Sequence, residues 1–342
     1  MNRIPLIVVL FDSVTNSVFQ SQVLQPLFKH RKENPYQPIM ILSFEKQKID
    51  IDKLQKIISN LAVKIIIKKR PFFFPLWFAQ KVLRDFLHMI PEYQLLARGP
   101  YAGYICLKVA DTRCEKITIQ VRGLVAQEYR FTHQKNSFLL QLIHFLRFKR
   151  LQKVEHYCFA YTKSNLEIQA VSPAMKEYLV KTYRTDQKKI TLATHDIPQK
   201  IQPAQVAQWK KEIRELLYIP EDAYVYCYNG SAKPWQCIDK VIAYFKAEMA
   251  KNEECFLLIL TQDYTMIKDM IAQHMIPENK YTIITVEHND IYKYLSAADA
   301  GILFRDEHII NWVSRPTKLL EYQSVGLKII HNKTVAYAQT GS

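Results

Sequence analysis

The segment from Ser314 to Ile330 reads SRPTKLLEYQSVGLKII and predicts an anion-binding helix followed at once by a buried strand. Ser314 is suited to cap the free backbone N–H groups, and Pro316 to the first helical turn, where a missing N–H costs nothing. Gly326 supplies a left-handed stop. A helix that starts in this way offers backbone donors and the positive end of its dipole to an anion.

Two charged side chains in this predicted helix extend that chemistry. Lys318 adds a cation, and Glu321, one turn later, adds a carboxylate that can accept hydrogen bonds from sugar or ribose hydroxyls. Phosphate and polyol would then be held side by side. The alternative is a surface helix in which Lys318 and Glu321 form an ordinary i,i+3 ion pair.

A second candidate phosphate site is the loop from Asn229 to Lys233 (NGSAK), which precedes a helix predicted to begin around Pro234. The loop combines a helix start with a nearby lysine. Its Gly-Ser-x-Lys motif is common, and it is neither a P-loop nor a dinucleotide fingerprint. Together with the helix near Ser314, it predicts a two-sided clamp for a diphosphate.

Three dipeptides in the first half of the chain lie just past predicted strands: Asp12-Ser13, Arg98-Gly99 and Arg122-Gly123. Ligands gather at such positions in open α/β sheets. Arginine at such a position presents a bidentate donor to phosphate or carboxylate, and glycine permits a tight bend or a close approach of the backbone. The dipeptides predict the opposite wall of an interdomain cleft. The residues of this predicted acceptor side are Asp12, Ser13, Arg98, Gly99, Arg122 and Gly123.

Several catalytic and metal-binding signatures are missing from the sequence. There is no HExxH, no GxSxG and no Asp-x-Asp pair directly after a predicted strand, which argues against a zinc hydrolase, an α/β-hydrolase and a metal-dependent sugar-nucleotide fold. The six cysteines show neither a CxxC pair nor metal-type spacing and fit a reducing compartment. We therefore predict no metal site and no cofactor.

Short apolar runs of strand length alternate with longer helical patterns, which indicates parallel α/β domains. The predicted strands of the first half are Ile4–Phe11, Pro38–Phe44, Val63–Ile67, Tyr93–Ala97, Ile117–Val121, Glu167–Val171 and Ile190–Ala193. Those of the second half are Ala223–Tyr228, Cys255–Leu260, Tyr281–Val286, Ala300–Phe304 and Leu327–His331. The 342-residue chain is long for one core, and a polar, proline-containing stretch predicts a boundary between domains 1–198 and 199–342.

The excess positive charge lies entirely in the first part of the chain. Residues 1–200 contain 32 Lys+Arg and 15 Asp+Glu, whereas residues 201–342 contain 15 and 17. The segment from Lys53 to Arg84 has eight basic residues, no acidic one and several interleaved aromatic side chains. This pattern favours an anionic membrane surface, with a solvated basic face and a nucleic-acid site as alternatives. No RNA-binding strand signature, zinc-finger spacing or KH-type loop supports nucleic acid, and we predict none as a partner.

The first apolar run fits a buried strand better than a signal peptide. Ile4–Phe11 has a single positive residue before it, ends at Asp12 and lacks a small-residue cleavage site. No segment is long enough to span a bilayer. We expect a cytoplasmic protein on the inner face of the plasma membrane.

Six blocks of the sequence together resemble the bacterial family-4-type glycosyltransferases of the GT-B fold. The blocks are Phe19–Leu27, Ala97–Gly103, Val121–Tyr129, Val171–Leu179, Tyr228–Asp239 and Ile302–Ile330. The resemblance implies two facing Rossmann-like domains, the first for an acceptor and the second for a nucleotide sugar. It also implies transfer with retention of anomeric configuration and without a bound divalent metal.

The resemblance further implies roles for single residues. Glu321 matches the second glutamate of the family's E-x7-E element, expected to hold the ribose, and Lys233 matches a basic position expected to stabilise the leaving diphosphate. These two are the predicted catalytic residues. Val313 stands where the first glutamate is expected, and Arg305 is the predicted substitute. The predicted donor-binding residues are Gly230, Ser231, Arg305, Ser314, Pro316, Thr317, Lys318 and Glu321.

The function predicted in this way is sugar transfer from a nucleotide-diphosphate donor to a lipid-linked or cell-envelope glycan acceptor. The family usually continues beyond the strand at Leu327–His331 with more of the donor domain, so an incomplete donor domain is expected. Two rival functions stay open. One is a truncated, nonenzymatic nucleotide-sugar binder, and the other is a GT-B sugar-nucleotide epimerase, which converts the donor without an acceptor.

Overall fold

The structure is a computed structural model that describes residues 4–11, 13–15, 19–58, 63–70, 76–133, 138–161, 164–194, 197–287 and 290–339. The chain forms two compact units, Met1–Asp196 and Ile197–Ser342. Each unit contains one parallel sheet with its own helices. The predicted fold class of two Rossmann-like domains is therefore confirmed.

The amino-terminal unit has seven strands and seven α-helices among its described residues. The strands are β1 (Leu6–Leu10), β2 (Ile39–Glu45), β3 (Val63–Lys69), β4 (Tyr93–Arg98), β5 (Cys114–Val121), β6 (Leu166–Ala170) and β7 (Ile190–Leu192). The helices are α1 (Gln25–Glu33), α2 (Ile51–Ile58), α3 (Leu76–Leu87), α4 (Gly99–Val109), α5 (Val125–Thr132), α6 (Phe138–Phe159) and α7 (Pro173–Tyr183). A π-helical turn, Gln20–Leu24, leads directly into α1.

The strands of this unit pair in the order β3-β2-β1-β4-β5-β6-β7, all parallel. The direction of strand addition reverses between β1 and β4, which makes their carboxyl ends the topological switch point. On one face, apolar residues of β1 and β2 pack beneath α1 and α2. Farther along that face, β5 and β6 present Thr118, Gln120 and Gln169 to a cavity. Helix α1 lines the same cavity with Pro26, Leu27 and His30.

The carboxyl-terminal unit has five strands and seven α-helices among its described residues. The strands are β8 (Tyr224–Asn229), β9 (Cys255–Leu260), β10 (Tyr281–Ile284), β11 (Ala300–Leu303) and β12 (Lys328–His331). The helices are α8 (Pro203–Leu216), α9 (Ile238–Met249), α10 (Tyr264–Gln273), α11 (Ile291–Leu295), α12 (Ile309–Trp312), α13 (Thr317–Ser324) and α14 (Ala336–Gln339).

This second sheet is also parallel throughout and has the order β10-β9-β8-β11-β12. Because helices cover both faces, successive residues of β8 enter different cores: Val225 and Cys227 enter one, Tyr226 and Tyr228 the other. All twelve predicted strands are present, with ends that differ by no more than three residues. All six cysteines are buried and free.

Within the part of the chain that the structure describes, no helix combines the length and the apolar character needed to cross a membrane.

Candidate functional site

The switch point of the carboxyl-terminal unit lies between β8 and β11, which pair with each other although they are far apart in sequence. Asn229 ends β8, and Arg305 follows shortly after β11. Open α/β sheets bind ligands beyond the carboxyl ends of such strands. Helix α13 packs against β11 and β12 and brings its own residues to the same region.

The beginning of α13 differs from the prediction. Pro316 occupies the N-cap position instead of the first turn, and no side chain caps the helix. The hydroxyl of Ser314 donates to the carbonyl of Asn311 at 2.8 Å instead. The reason is the short helix α12, which the sequence pattern did not reveal and whose final carbonyls need donors. The predicted cap by Ser314 is therefore wrong.

The end of α13 agrees with the prediction. Gly326 has φ +77°, the left-handed conformation that favours glycine. Its N–H donates to Gln323 O at 3.3 Å, and the N–H of Leu327 donates to Tyr322 O at 3.0 Å. This is the Schellman arrangement, and it turns the chain directly into β12.

Lys318, at the second position of α13, is the most unusual residue of the site. Its side chain is buried, at 6% exposure, and among the described residues its Nζ has no hydrogen-bond partner. The Nζ lies 4.1 Å from the ring centre of Tyr228. Burial, reinforced by the positive charge of Arg305, lowers the pKa of Lys318 well below its ordinary value, while Glu321 opposes this shift.

The position of Lys318 is costly in two ways. A buried ammonium without a partner is destabilising, and a positive charge in the first turn opposes the helix dipole. A chain keeps such an arrangement where a ligand compensates for it. An anion at this point would gain both the ammonium and the positive end of α13.

Glu321 lies one turn further along α13 and is equally buried. Its Oε2 accepts a hydrogen bond of 2.6 Å from Nδ2 of Asn229 at the end of β8. Burial raises the pKa of Glu321 to about 7, against the opposing effects of Lys318 and of the Asn229 hydrogen bond. The simple surface pair considered for Lys318 and Glu321 is therefore wrong, because both side chains lie in the interior.

Arg305 supplies a second buried cation. Its Nη1 donates to Oε1 of Gln236 at 2.6 Å, and Asn332 and Thr334 hold its backbone carbonyl at 2.7 and 3.1 Å. Burial lowers the pKa of this guanidinium. The neighbouring Asp306, which could have paired with it, forms an ion pair of 2.7 Å with Lys240 instead.

Tyr322 fixes the distance between α13 and the end of β8. Its hydroxyl accepts the backbone N–H of Asn229 at 2.9 Å. A Cβ on Gly301 would lie 2.4 Å from the Tyr322 ring, so only glycine allows this close packing on β11. Tyr322, Gly301 and Asn229 thereby set where Lys318 and Glu321 are held.

The loop after β8 also approaches Lys318 closely. A Cβ on Gly230 would stand 2.9 Å from Lys318 Nζ, and the carbonyl of Ser231 accepts a hydrogen bond of 2.7 Å from Tyr228. Lys233 is exposed, with its Nζ 5.4 Å from the ring centre of Trp235. Thus Gly230 reaches the buried group formed by Lys318, Glu321 and Arg305, while Lys233 lies at the surface.

The helix predicted to begin around Pro234 is not observed there. Residues Pro234–Gln236 form a single 3-10 turn, and Cys237 adopts a left-handed φ of 53° before α9 begins at Ile238. The loop therefore does not lead directly into an α-helix. The same turn places Gln236 against Arg305.

In the amino-terminal unit, Arg98 and Arg122 line one cavity of about 270 Å³ together with Gln22, Thr118 and Gln120. The guanidinium of Arg98 donates to Oε1 of Gln22 at 2.7 Å. The structure thus brings together the two arginines that were predicted to lie on the acceptor side.

The other predicted acceptor-side residues occupy more ordinary places. Gly99 has φ +79° and lets α4 begin directly after β4. A Cβ on Gly123 would lie 2.0 Å from a carboxylate oxygen of Glu128, so this glycine permits a close approach. The hydroxyl of Ser13 lies 3.1 Å from that of Thr15. Asp12 falls outside the described residues.

A resident metal site is not evident in the described part of the chain, where no three His, Cys, Asp or Glu side chains are grouped to bind an ion. The charged groups that do converge are Lys318, Arg305 and Glu321.

Comparisons with known proteins identify the fold class of the chain. No family model and no curated protein sequence matches the chain. Among solved structures, it is similar to WaaG, a glycosyltransferase involved in lipopolysaccharide biosynthesis, with a TM-score of 0.68, 12% identity, and coverage of 98% of this chain and 83% of that one. The chain has the GT-B fold.

Two further structures support this assignment. Sucrose-phosphate synthase from Thermosynechococcus elongatus matches with a TM-score of 0.66 and 12% identity over 99% of this chain and 83% of its own. A glycosyltransferase from Rickettsia africae ESF-5 matches with a TM-score of 0.62 and 14% identity over 99% and 87%. At these identities the likeness is one of GT-B fold.

Three residues of the site were missed by sequence reasoning: Gln236, Tyr322 and the side chain of Asn229. Their roles depend on partners 69 to 93 positions away, so no local pattern marks them. Val313, at the position where the resemblance expects a glutamate, is a buried apolar residue. The buried charged side chains near the carboxyl ends of β8 and β11 are therefore Lys318, Arg305 and Glu321.

Proposed function

We propose that this protein is a glycosyltransferase that takes a sugar from a nucleotide-diphosphate donor bound in the carboxyl-terminal unit. The observation that carries the proposal is the buried, unpartnered ammonium of Lys318 beside Arg305. Two buried cations that act on each other electrostatically suit a diphosphate ligand better than a ligand with a single carboxylate. The GT-B fold of the chain is compatible with this activity.

The proposed donor geometry follows from the neighbours of Lys318. The diphosphate accepts hydrogen bonds from Lys318 and Arg305 and lies at the start of α13. Glu321, held by Asn229, accepts hydrogen bonds from ribose hydroxyls. Gly230 lets the loop after β8 come close to the phosphates, because a side chain there would collide with Lys318.

In the transfer step, the bond between the anomeric carbon and the diphosphate oxygen breaks, a bond from that carbon to an acceptor hydroxyl oxygen forms, and the hydroxyl proton passes to the departing diphosphate. Negative charge grows on the diphosphate as its bond to the sugar breaks. Lys318 and Arg305 stabilise that charge electrostatically. They provide the positive charge that a divalent ion would otherwise supply, so we propose metal-independent transfer. Lys233, at the edge of the same loop, is a further proposed contact to the diphosphate. Retention of anomeric configuration is proposed from the family resemblance.

The acceptor side is proposed to lie in the amino-terminal unit. Arg98 and Arg122 line its cavity and are suited to anionic groups. We propose that the acceptor is lipid-linked or part of a cell-envelope glycan, and that the protein meets it at a membrane surface from the cytoplasmic side. The support for this part is the charge excess of residues 1–200.

The test combines binding with chemistry. Calorimetry with UDP and GDP should show binding of one of them to the wild-type protein and a large loss with K318M. Incubation of the matching nucleotide sugar with lipid-linked acceptors should then give a glycosylated product. Heat without product would identify a nonenzymatic binder. Conversion of the donor sugar in the absence of any acceptor would identify an epimerase instead.

A further inference from the structure

Helix α6, Phe138–Phe159, exposes an unusual number of large apolar side chains near its amino-terminal end. Leu140, Leu142, Ile143, Phe145 and Leu146 are each between 47% and 64% exposed. Surfaces of monomers rarely carry such a contiguous apolar patch unless it contacts something. The helix is nevertheless firmly attached to its unit, because it packs on α4 and α5 and buries residues such as Leu151 and Phe159.

The same outward side of α6 becomes basic towards the carboxyl end. Leu142 and Leu146 are followed at helical spacing by Lys149 and Lys153, both exposed, and Arg150 is exposed beside them. No acidic residue occurs between Glu128 and Glu155 in the sequence. One continuous face is thus apolar in its first turns and positively charged in the next.

We propose that this face of α6 is the surface with which the protein docks on an anionic lipid bilayer. The inference rests on the proposed function, in which the acceptor lies at a membrane. It assigns the contact with the membrane to particular residues. Leu142, Ile143 and Leu146 enter the boundary between headgroups and acyl chains, while Lys149 and Lys153 pair with lipid phosphates.

The charge pattern favours lipid over a second copy of this chain. An anionic bilayer complements both halves of the face, whereas a second copy of α6 offers no acidic residue before Glu155 to pair with the basic half. The basic segment Lys53 to Arg84 is a less complete candidate. Phe72, Phe73 and Phe74 lie outside the described residues, and Trp77 is the large apolar side chain that is exposed in the described part of that segment.

Trp77 is a further exposed apolar side chain of the amino-terminal unit. It is 65% exposed on α3, which packs against α4 as α6 does. Trp77 is an aromatic side chain suited to the interface between lipid and water.

The experiment is vesicle flotation of the full chain with phosphatidylcholine alone or mixed with phosphatidylglycerol. The apolar variant is L142Q/I143Q/L146Q, and the charge variant is K149Q/R150Q/K153Q. The matched control, L216Q/M266Q/M275Q, removes three exposed apolar side chains from the carboxyl-terminal unit. Circular dichroism melting and nucleotide binding check that every variant is folded.

We expect the wild type and the control to float with phosphatidylglycerol vesicles. The apolar variant should bind them at least about tenfold more weakly, and the charge variant should lose most of its salt-sensitive binding. Equal flotation of the apolar variant and the wild type would overturn the assignment to α6 and leave membrane association by another surface. Absence of flotation by the wild type would contradict the membrane part of the proposed function itself.

A different occupant would also be visible. If the wild type sediments as a dimer and L142Q/I143Q/L146Q as a monomer with unchanged flotation, the face joins two copies and the lipid assignment fails. Nucleotide binding reports on the separate donor site, so its loss or retention distinguishes failure of the donor proposal from failure of the docking proposal.

Discussion

The amide Nδ2 of Asn229 donates a hydrogen bond of 2.6 Å to Oε2 of Glu321, across 92 positions of sequence. The contact joins the end of β8 to the middle of α13. It orients a buried carboxylate whose pKa burial raises to about 7. Because one oxygen of Glu321 is occupied in this way, the carboxylate is held in a defined direction.

Replacing Lys318 should separate ligand affinity from stability. We expect K318M to weaken binding of the cognate nucleoside diphosphate by about 10- to 100-fold, because a charge-assisted contact is lost. The same change should raise the melting temperature of the free protein by about 2–4 °C, since the cost of burying an amine without a hydrogen-bond partner is removed. Calorimetry and thermal unfolding measure the two effects. The exposed Lys268 provides the control K268M, and a destabilised K318M with unchanged affinity would contradict the proposed site.

Glu321 should determine recognition of the ribose. Wild-type protein should bind the cognate nucleoside diphosphate about tenfold or more tightly than its 2′-deoxy form, because the buried carboxylate loses a partner with the deoxy ligand. In E321Q this preference should shrink to near unity. Competition binding with both ligands and both proteins measures the coupling. An equal preference in the two proteins would place the ribose elsewhere.

A second buried carboxylate predicts how stability depends on pH. Glu155 accepts hydrogen bonds from Tyr183 Oη at 2.7 Å and Ala126 N at 3.2 Å, at the start of α5. Burial raises its pKa from 4.5 to about 7, against the effect of these bonds. The unfolded chain therefore ionises first, so this contribution to stability is present below pH 4.5 and is lost as the pH rises towards 7.

The variant E155Q should remove that dependence. We compare the free energy of unfolding of E155Q with that of the wild type at each pH. As the pH rises from acidic to neutral, the difference should shift in favour of E155Q by up to about 3 kcal/mol, whatever the absolute stability of the variant. Urea unfolding of the amino-terminal unit at several pH values measures the difference. The exposed Glu177 on α7 gives the control E177Q. A constant difference between E155Q and the wild type over this range would refute the argument.

Gly301 should not tolerate a larger residue, because its neighbours leave no space for a side chain. Gly326 should tolerate a residue that can adopt a left-handed backbone conformation. G301A places a Cβ 2.4 Å from the ring of Tyr322, so we expect a loss of about 1–3 kcal/mol and weaker nucleotide binding as Tyr322 moves. A Cβ on Gly326 would have no neighbouring atom within 4 Å, and the asparagine of G326N tolerates the left-handed φ. It should cost less than about 1 kcal/mol. Denaturant unfolding measures the loss of stability in both variants. An equal loss in G301A and G326N would contradict this prediction.

The strands could be predicted from sequence because each is a short apolar run in a chain with few glycines. The assignment of Gly230 and Arg305 to strand ends could also be made, since parallel strands end at one edge of a sheet. The helix starts were less predictable. Ser314 has the chemistry of a cap, but the carbonyl of Asn311 in α12 competes for its hydroxyl.

Burial was beyond the reach of sequence. Lys318 and Glu321 have the spacing of a surface ion pair, but the packing of α13 on β11 and β12, with Tyr322 against Gly301, leaves both side chains buried. The apolar turns of α6 look like part of a core in the sequence. They are exposed because the contacts of α6 with α4 and α5 leave these side chains uncovered.

By itself, the sequence of this protein determined two parallel α/β units and the types of residue at their strand ends, because hydrophobic periodicity is a local property. The tertiary structure decided which charged side chains are buried and which apolar side chains are exposed to solvent. These properties depend on atoms distant in sequence, as when Asn229 reaches Glu321 and when Lys318 is left without a hydrogen-bond partner among the described residues.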